Sequence, residues 1–132
     1  RQSKVMLIIK PIQDKSYQEE VCNQCGFKYE PLSFAYSEKE NEKLIAACQF
    51  DILGSNGTIS DFGMVKGVEE DIEALIILGR AVLNFMELSG VETCTFDSTS
   101  VDAPKYSKML GFTDKKICLK SLFDGKCNHN CK

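Results

Sequence analysis

The segment that most constrains the fold covers residues 65–90 and reads VKGVEEDIEALIILGRAVLNFMELSG. It begins as the end of a strand, turns through an acidic segment, and continues as a long apolar helix that ends at Gly90. Strand-like segments precede and follow it. A long helix between two strands that no hairpin joins predicts a parallel strand pair with a right-handed crossover. The chain is therefore expected to contain a sheet that is at least partly parallel.

Alternating apolar residues and turn-forming residues predict the other elements. The predicted strands are residues 3–12, 29–38, 44–53, 58–65, 91–97 and 115–123. The predicted helices are residues 15–25, 70–89 and 102–110. Three strands follow one another without a helix, and a GSNG turn joins the last two as a hairpin. We expect an α/β (α+β) fold with a mixed, mostly antiparallel central sheet flanked by helices in three layers.

Length and charge limit the classes of function. The 132 residues predict a single domain, 1–132, with a cysteine-rich C-terminal tail at 124–132. The net charge is −3, tryptophan is absent, and no basic block is present, which disfavours nucleic-acid binding. No apolar run is long enough to span a bilayer, and no signal-peptide pattern is visible. We therefore expect a cytoplasmic protein without a membrane partner, whose oligomeric state is left open.

The chain has seven cysteines, an odd number that rules out complete internal pairing. Without an export signal, a reducing compartment with mostly free thiols is the expectation. Cys48, Cys94 and Cys118 lie within strand-like segments. We therefore interpret these three as small residues of the hydrophobic core.

Two closely spaced cysteine pairs are candidate metal ligands. They are Cys22 with Cys25, and Cys127 with Cys131, which flank the only histidine, His129. Four thiolates, or three with an imidazole, suit tetrahedral Zn²⁺, provided that the first helix meets the C-terminus. Unpaired surface thiols with a frayed tail, or a Cys127–Cys131 disulfide, are the alternatives.

Two further segments and the order of elements together resemble a known family. Residues 59–65 read ISDFGMV, and residues 102–112 read DAPKYSKMLGF. The first is similar to the fourth strand of the GNAT superfamily of N-acetyltransferases, and the second is similar to that family's N-A-x-x-x-Y-x-K-x-G-F segment. The resemblance implies the acyl-CoA N-acyltransferase fold, with residues 65–90 as the strand end, pyrophosphate loop and following helix.

The resemblance also implies a cofactor and the residues that would hold it. In GNAT proteins the splayed fourth strand holds the acetyl group and pantetheine of acetyl-CoA through backbone hydrogen bonds. The positions of this chain that match that strand are Phe62, Gly63, Met64 and Val65. The positions that would face the diphosphate are Val68, Glu70, Asp71 and Ile72. The acceptor implied by the family is an amine on a small molecule or a peptide.

The pyrophosphate loop departs from the family pattern R/Q-x-x-G-x-G/A. Glu70 stands at the basic position, Glu73 at the first glycine and Leu75 at the second. Side chains at the glycine positions hinder close approach of a diphosphate to the backbone, and carboxylates repel it. The alternative is that residues 69–71 simply cap the helix and complement its dipole.

The general acid of the family is also displaced. The family's tyrosine stands four residues before the glycine, where this chain has Ser107, while Tyr106 is one residue earlier. One residue along a helix is a rotation of about 100°, so Tyr106 is expected to point elsewhere and to act in packing. Tyr106 and Ser107 are both candidates for the acid, although a serine hydroxyl has too high a pKa to serve as a comparable one.

A general base must accept the proton of the amine, directly or through water. Asp61 lies in the strand that resembles the family's fourth strand, and Asp51 and Asp97 are the other candidates. An exposed carboxylate without a catalytic role is the alternative for each.

The resemblance thus implies an N-acetyltransferase, weak or inactive, with a degenerate coenzyme A loop. The alternatives are a non-catalytic binding or regulatory module with the same fold, and a redox or zinc-stapled regulatory protein that acts through the cysteine pairs.

Overall fold

The computed structural model describes residues 6–119. The strands are β1 (Leu7–Pro11), β2 (Phe34–Glu40), β3 (Lys43–Leu53), β4 (Asn56–Met64), β5 (Thr93–Phe96) and β6 (Lys116–Cys118). The helices are α1 (Lys15–Cys25), α2 (Ile72–Leu88) and α3 (Ala103–Met109). Within residues 6–119, none of the helices has the length and apolar character needed to cross a bilayer.

The strands form one mixed sheet in the order β1-β2-β3-β4-β5-β6. Each neighbouring pair is antiparallel except β4 and β5, which are parallel and are connected through α2. The predicted mixed, mostly antiparallel sheet is therefore confirmed, as is the parallel pair on either side of the long helix. The hairpin between β3 and β4 also lies where the GSNG turn predicts it, with Gly54 at a φ of 62°.

Two hydrophobic clusters cover the two faces of the sheet, because alternate residues of a strand point to opposite sides. The larger cluster contains the apolar faces of α2 and α3 together with Cys48 and Phe50 of β3. The smaller cluster lies under α1 and includes Val21 and Ala47. The fold thus has three layers, with α1 on one side of the sheet and α2 and α3 on the other.

Some element boundaries differ from the sequence prediction. β2 begins at Phe34 because the preceding residues form a turn in which Ser33 N–H donates to Glu30 O at 3.0 Å. α2 begins at Ile72 because Asp71 has an extended backbone, with φ −123° and ψ 98°, and serves as the N-cap. Asp102 occupies the N-cap position of α3, but its side chain makes no capping hydrogen bond.

Gly79 brings α2 and the end of α3 together. It is buried in α2, and a Cβ at this position would clash with the side chain of Leu110, which is itself 2% exposed. The missing side chain makes a notch in α2 into which Leu110 packs. This contact packs the end of α3 closely against α2.

The cysteines agree only in part with expectation. Cys48 and Cys94 are 0% exposed and free, as predicted for core residues. Cys118 is half-buried and disulfide-bonded, so the interpretation of it as a free core thiol is wrong.

The zinc prediction finds no support in the described part of the chain. Among residues 6–119 no group of three or more histidine, cysteine, aspartate or glutamate side chains could hold a metal. Cys22 and Cys25 are both free, and the Cys22 thiol donates to Gln49 Oε1 at 3.3 Å. The other two predicted ligands, Cys127 and Cys131, lie outside the described residues.

Candidate active site

A cleft opens in the sheet where β4 and β5 separate. Their parallel pairing ends at Ile59 and Phe96, while β4 continues to Met64. Asp97 N–H still donates to Ile59 O at 2.8 Å, just after the last pair. Just at this point the register between β3 and β4 shifts, and such irregularities bend a strand and increase its twist. The second half of β4 therefore has β3 on one side and an open cleft on the other.

The cleft contains a cavity of about 370 Å³. Its walls come from the end of α1, the end of β4, the β4–α2 loop, the segment after β5, and α3. The residues that line it are Cys25, Gly26, Phe27, Asp61, Phe62, Gly63, Met64, Val68, Glu70, Ser98, Thr99, Ser100, Asp102 and Tyr106. The cavity thus brings together residues from five separate segments of the chain.

The end of β4 presents backbone groups to this cavity. Val65 N–H donates to Ile45 O of β3 at 2.7 Å. Peptide groups alternate in direction along a strand, so those of Phe62 and Met64 point away from β3 and into the cleft. These N–H and C=O groups can bond the polar atoms of an extended ligand that lies along β4.

Asp61 is the one of the three candidate bases that lines the cavity. It is half-buried, and its Oδ2 accepts a hydrogen bond from Gln49 Nε2 at 2.9 Å. Burial raises the pKa of this carboxyl, the Gln49 bond opposes that rise, and the charge of Glu30 adds to it. Asp51 and Asp97 are exposed, and neither lines the cavity.

Tyr106 also faces the cavity. Its ring is 4% exposed and packs edge-to-face on Phe62 with the centroids 5.5 Å apart. An ideal Cβ at Gly63 would lie 4.0 Å from Tyr106 Cε2, so the ring covers this part of β4. Tyr106 thus acts in packing, as expected, and it also lines the cavity. Counting along a helix gives the relative directions of its side chains, whereas their position over the sheet depends on how α3 packs.

Glu70 connects the β4–α2 loop to α3 at the mouth of the cavity. Its two carboxylate oxygens accept hydrogen bonds from Lys105 Nζ at 2.6 Å and from Tyr106 Oη at 2.5 Å. We call these three residues the Glu70 bridge. Hydrogen bonds from Lys105 and Tyr106 lower the pKa of Glu70, whereas burial, followed by the Glu70 contact, raises the pKa of Tyr106. Near neutral pH the carboxylate is therefore ionised and the phenol is protonated.

A turn and a capped helix N-terminus follow β4. Val68 N–H donates to Val65 O at 3.1 Å, with Gly67 at a φ of 84°, a conformation that favours glycine. Asp71 Oδ1 then accepts from Ala74 N–H at 3.1 Å. The capping interpretation is thus correct for Asp71, and its carboxylate takes a first-turn N–H group that could otherwise bind a phosphate.

The remaining predicted site residues do not line the cavity. Val65, Asp71 and Ile72 flank it but are not among the residues that line it. Ser107 Oγ donates to Pro104 O at 3.2 Å, and the residue lines a separate surface cavity between α3 and the β5–β6 region. Ser107 therefore does not line the cavity between β4 and β5, because its side chain leaves α3 in a different direction from that of Tyr106.

Several residues of the site were not expected from the sequence. Cys25, Gly26 and Phe27 supply one wall, and the segment from Ser98 to Ser100 supplies another. The sequence did contain a signal for residues 98–100, because a loop of small polar residues after a parallel strand is a common place for a binding site. It contained none for residues 25–27, because contact between the end of α1 and β4 depends on how the helix crosses the sheet.

No protein-family model matches this sequence, and no curated protein matches it. Solved structures do match. YhhK of Escherichia coli, a proposed N-acetyltransferase solved with coenzyme A bound, superposes with a TM-score of 0.66 at 19% identity, over 86% of this chain and 98% of YhhK. A GNAT family acetyltransferase from Brucella melitensis, solved with acetyl-CoA, gives 0.62 at 12% identity, over 86% and 88% of the two chains.

A third similar structure is a ribosomal-protein-alanine N-acetyltransferase from Brucella melitensis. It superposes with a TM-score of 0.63 at 12% identity, over 83% of this chain and 94% of that one. Similarity at this level of identity shows the fold. The comparisons therefore confirm that this chain has the GNAT acyl-CoA N-acyltransferase fold, as its sequence predicts.

Proposed function

We propose that this protein is an N-acetyltransferase that binds acetyl-CoA along the end of β4 and transfers the acetyl group to an amine on a small molecule or a peptide. The observation that carries the proposal is the separation of β4 from β5 after Ile59. It exposes the peptide groups of Phe62 and Met64 beside a carboxylate and a phenol, in a fold shared with acetyltransferases.

The two side chains suit the two proton movements of acyl transfer. The amine nitrogen attacks the thioester carbonyl carbon, a C–N bond forms and the C–S bond breaks. Asp61 accepts the proton that the amine loses, directly or through water. The departing thiolate accepts a hydrogen bond from Tyr106 Oη, which keeps its proton at neutral pH because its pKa is raised.

The two ends of acetyl-CoA fit this site unequally. The acetyl and pantetheine end fits, since the cavity of about 370 Å³ and the β4 peptide groups offer space and hydrogen bonds. The diphosphate end meets carboxylates at Glu69 and Glu70, and the α2 N-terminus is already capped by Asp71. We therefore expect binding to be weak and turnover to be slow.

Titration of the full chain with acetyl-CoA tests the proposal. Amide NMR signals of Phe62, Gly63 and Met64 should shift on saturation, and calorimetry should give a dissociation constant. Release of free coenzyme A should then depend on an added amine. An absence of heat and of shifts at millimolar acetyl-CoA would overturn the proposal.

A second candidate is a non-catalytic module that binds a ligand in the same cavity. The Glu70 bridge favours it, because Glu70 occupies the Tyr106 hydroxyl and places a negative charge at the cavity mouth. Binding of coenzyme A without turnover, across amines of varied size and charge, would support this candidate over the enzyme.

We also propose that the protein acts in the cytoplasm. Cys22, Cys25, Cys48 and Cys94 are free, which fits a reducing compartment, whereas the disulfide at Cys118 argues against it. Thiol alkylation in freshly lysed cells, read by mass spectrometry, tests this. Extensive oxidation of these four thiols would overturn it.

A further inference from the structure

A buried amide network connects Asp61 to the opposite side of β3. Gln49 is 0% exposed and lies in β3 directly between the apolar residues Cys48 and Phe50. Its Nε2 donates to Asp61 Oδ2 and to Lys28 O, both at 2.9 Å. Its Oε1 accepts from Gln18 Nε2 at 2.9 Å and from Glu30 N–H at 3.0 Å. All hydrogen-bonding groups of this side chain are therefore used.

The partners fix which end of the Gln49 amide faces Asp61. Glu30 N–H is a peptide donor and cannot accept, so the amide end that meets it must be the oxygen. Lys28 O is a carbonyl and cannot donate, so the end that meets it must be the nitrogen. Asp61 lies on the nitrogen side. Gln49 is therefore held as a hydrogen-bond donor to Asp61, and an amide flip would break at least two bonds.

This arrangement also fixes the Asp61 carboxylate. The Gln49 bond uses Oδ2, and within residues 6–119 no hydrogen bond goes to Oδ1. A donor to a carboxylate stabilises its ionised form. Burial and the negative charge of Glu30 act in the opposite direction.

Other ionisable groups near Asp61 do not replace Gln49. From α1 these are Cys22 and Cys25, whose pKa values burial raises to about 11 and about 12. Across the cavity are Glu70, Asp102 and Tyr106, which are acids as well. These groups are all acids. The Lys66 side chain lies over Gly26 in the same wall, but among the interactions that act on the Asp61 pKa only the Gln49 hydrogen bond lowers it.

We infer that Gln49 is a positioning residue for the proposed acyl transfer: its bond to Oδ2 favours the ionised form of Asp61 and leaves Oδ1 as the oxygen that meets the acceptor's amine. Asp61 can accept a proton only in its ionised form, so Gln49 extends the pH range of activity downward. The inference rests on the proposed function for its role in transfer. Its effect on Asp61 can be measured without any substrate.

The first test compares Gln49→Met with Gln18→Met by NMR titration of the Asp61 side-chain carboxyl in the full chain. Both variants replace a fully buried amide of the same network, but only Gln49 contacts Asp61. We expect Gln49→Met to raise the Asp61 pKa by about one unit, and Gln18→Met to change it by less than about a third of a unit. Equal shifts in the two variants, or none in Gln49→Met, would overturn the inference.

A second measurement uses the unaltered chain, in case the buried substitutions prevent folding. The side-chain amide proton signals of Gln49 should move with pH at the same midpoint as the Asp61 carboxyl, since the two groups share a hydrogen bond. A Gln49 signal that stays constant through the Asp61 titration would overturn the inference.

The pH dependence of the reaction rate tests whether the effect of Gln49 on the Asp61 pKa matters for acyl transfer. In Gln49→Met the acidic limb of the kcat/KM profile should move to higher pH by the same amount as the Asp61 pKa, whereas Gln18→Met should keep the wild-type midpoint. Purely structural damage would lower the rate at all pH values without moving the limb, and that result would overturn the positioning role. If the chain binds no acetyl-CoA, the proposed function is overturned, but the NMR titrations still measure the effect of Gln49 on the Asp61 pKa.

Discussion

The cavity contains two carboxylates that the protein treats in opposite ways. Asp61 is half-buried and is held by a neutral amide, and its pKa is raised. Glu70 is held at the surface by a cation and a phenol, and its pKa is lowered. Two like groups whose environments separate their pKa values commonly have different roles in one site. We interpret Asp61 as the group that takes a proton and Glu70 as a fixed charge at the entrance.

The hydrogen bonds that hold the two carboxylates also differ in how easily they can be broken. Those around Asp61 belong to a buried network of amides, in which breaking one bond leaves a buried polar group without a partner and costs free energy. The Glu70 bridge joins exposed side chains, with Lys105 53% and Glu70 36% exposed, and exposed ion pairs contribute little to stability. An arriving ligand can therefore displace Glu70 far more easily than Asp61.

The largest expected effect comes from Asp61→Asn. It removes the proton acceptor while keeping a similar shape, so kcat/KM for acetyl transfer should fall by about 10²- to 10⁴-fold. Asp51→Asn is the matched control, since Asp51 is a carboxylate on β3 that accepts from Ser33 Oγ at 2.8 Å and lies outside the cavity. Equal activity of the two variants would refute the role given to Asp61.

Tyr106→Phe should have the next largest effect. It keeps the ring that packs on Phe62 but removes the hydroxyl that would stabilise the departing thiolate. A hydrogen bond to a charged group contributes about 1.5–3 kcal/mol, so kcat should fall by about 10- to 100-fold while KM for acetyl-CoA changes little. An unchanged kcat would show that Tyr106 serves only in packing.

Glu70→Gln should have a smaller effect in the opposite direction. Removing a negative charge at the entrance should tighten acetyl-CoA binding by about 2- to 5-fold, equivalent to about 0.3–1 kcal/mol. Glu69→Gln makes the same change in net charge one residue away, at a side chain that does not line the cavity. Calorimetry that gives the two variants the same affinity would point to net charge rather than to the Glu70 bridge.

The smallest effects concern pH. The folded-state pKa of Asp61 is raised, so its contribution to stability grows as pH falls through that value, while activity is lost. The folded-state pKa of Glu70 is lowered, so its stabilising contribution is present above the unfolded value and is lost as pH falls through the folded one. On acidification from neutral pH, activity should therefore decline before the Glu70 bridge is lost.

Profiles of kcat/KM and of thermal stability, both measured against pH, show whether activity declines before the Glu70 bridge is lost. In Asp61→Asn, the gain in stability that comes from protonation of Asp61 should be absent. Loss of the Glu70 bridge before loss of activity would contradict the assignment of the two carboxylates.

The sequence predicted the fold well because the relevant signals are local. The apolar period of α2, the GSNG turn and the apolar run of β3 each specify an element without reference to the rest of the chain. The separation of β4 from β5 was also implied, through the resemblance of residues 59–65 to a family strand. These features depend on a few consecutive residues.

The candidate site was less predictable because its contacts join distant segments. Glu70 and Lys105 are 35 residues apart, and Gln49 and Gln18 are 31 apart. The acidic character of the β4–α2 loop is evident in the sequence, but its cationic partner on α3, Lys105, cannot be found by counting along the chain. Gln49 is the one amide side chain in a run of apolar residues, and a buried amide needs hydrogen-bond partners even when the sequence does not identify them.

The notch at Gly79 bears on the wall of the cavity that α3 forms. Leu110 fits into it and packs the end of α3 against α2, and α3 supplies Tyr106 and Lys105 to the site. A single methyl group at position 79 would collide with the Leu110 side chain, so that either this side chain or α3 must shift. Substitutions in the core of α2 could thus alter the width of the cleft, which offers evolution or design a way to reshape the site while leaving the side chains that line it in place.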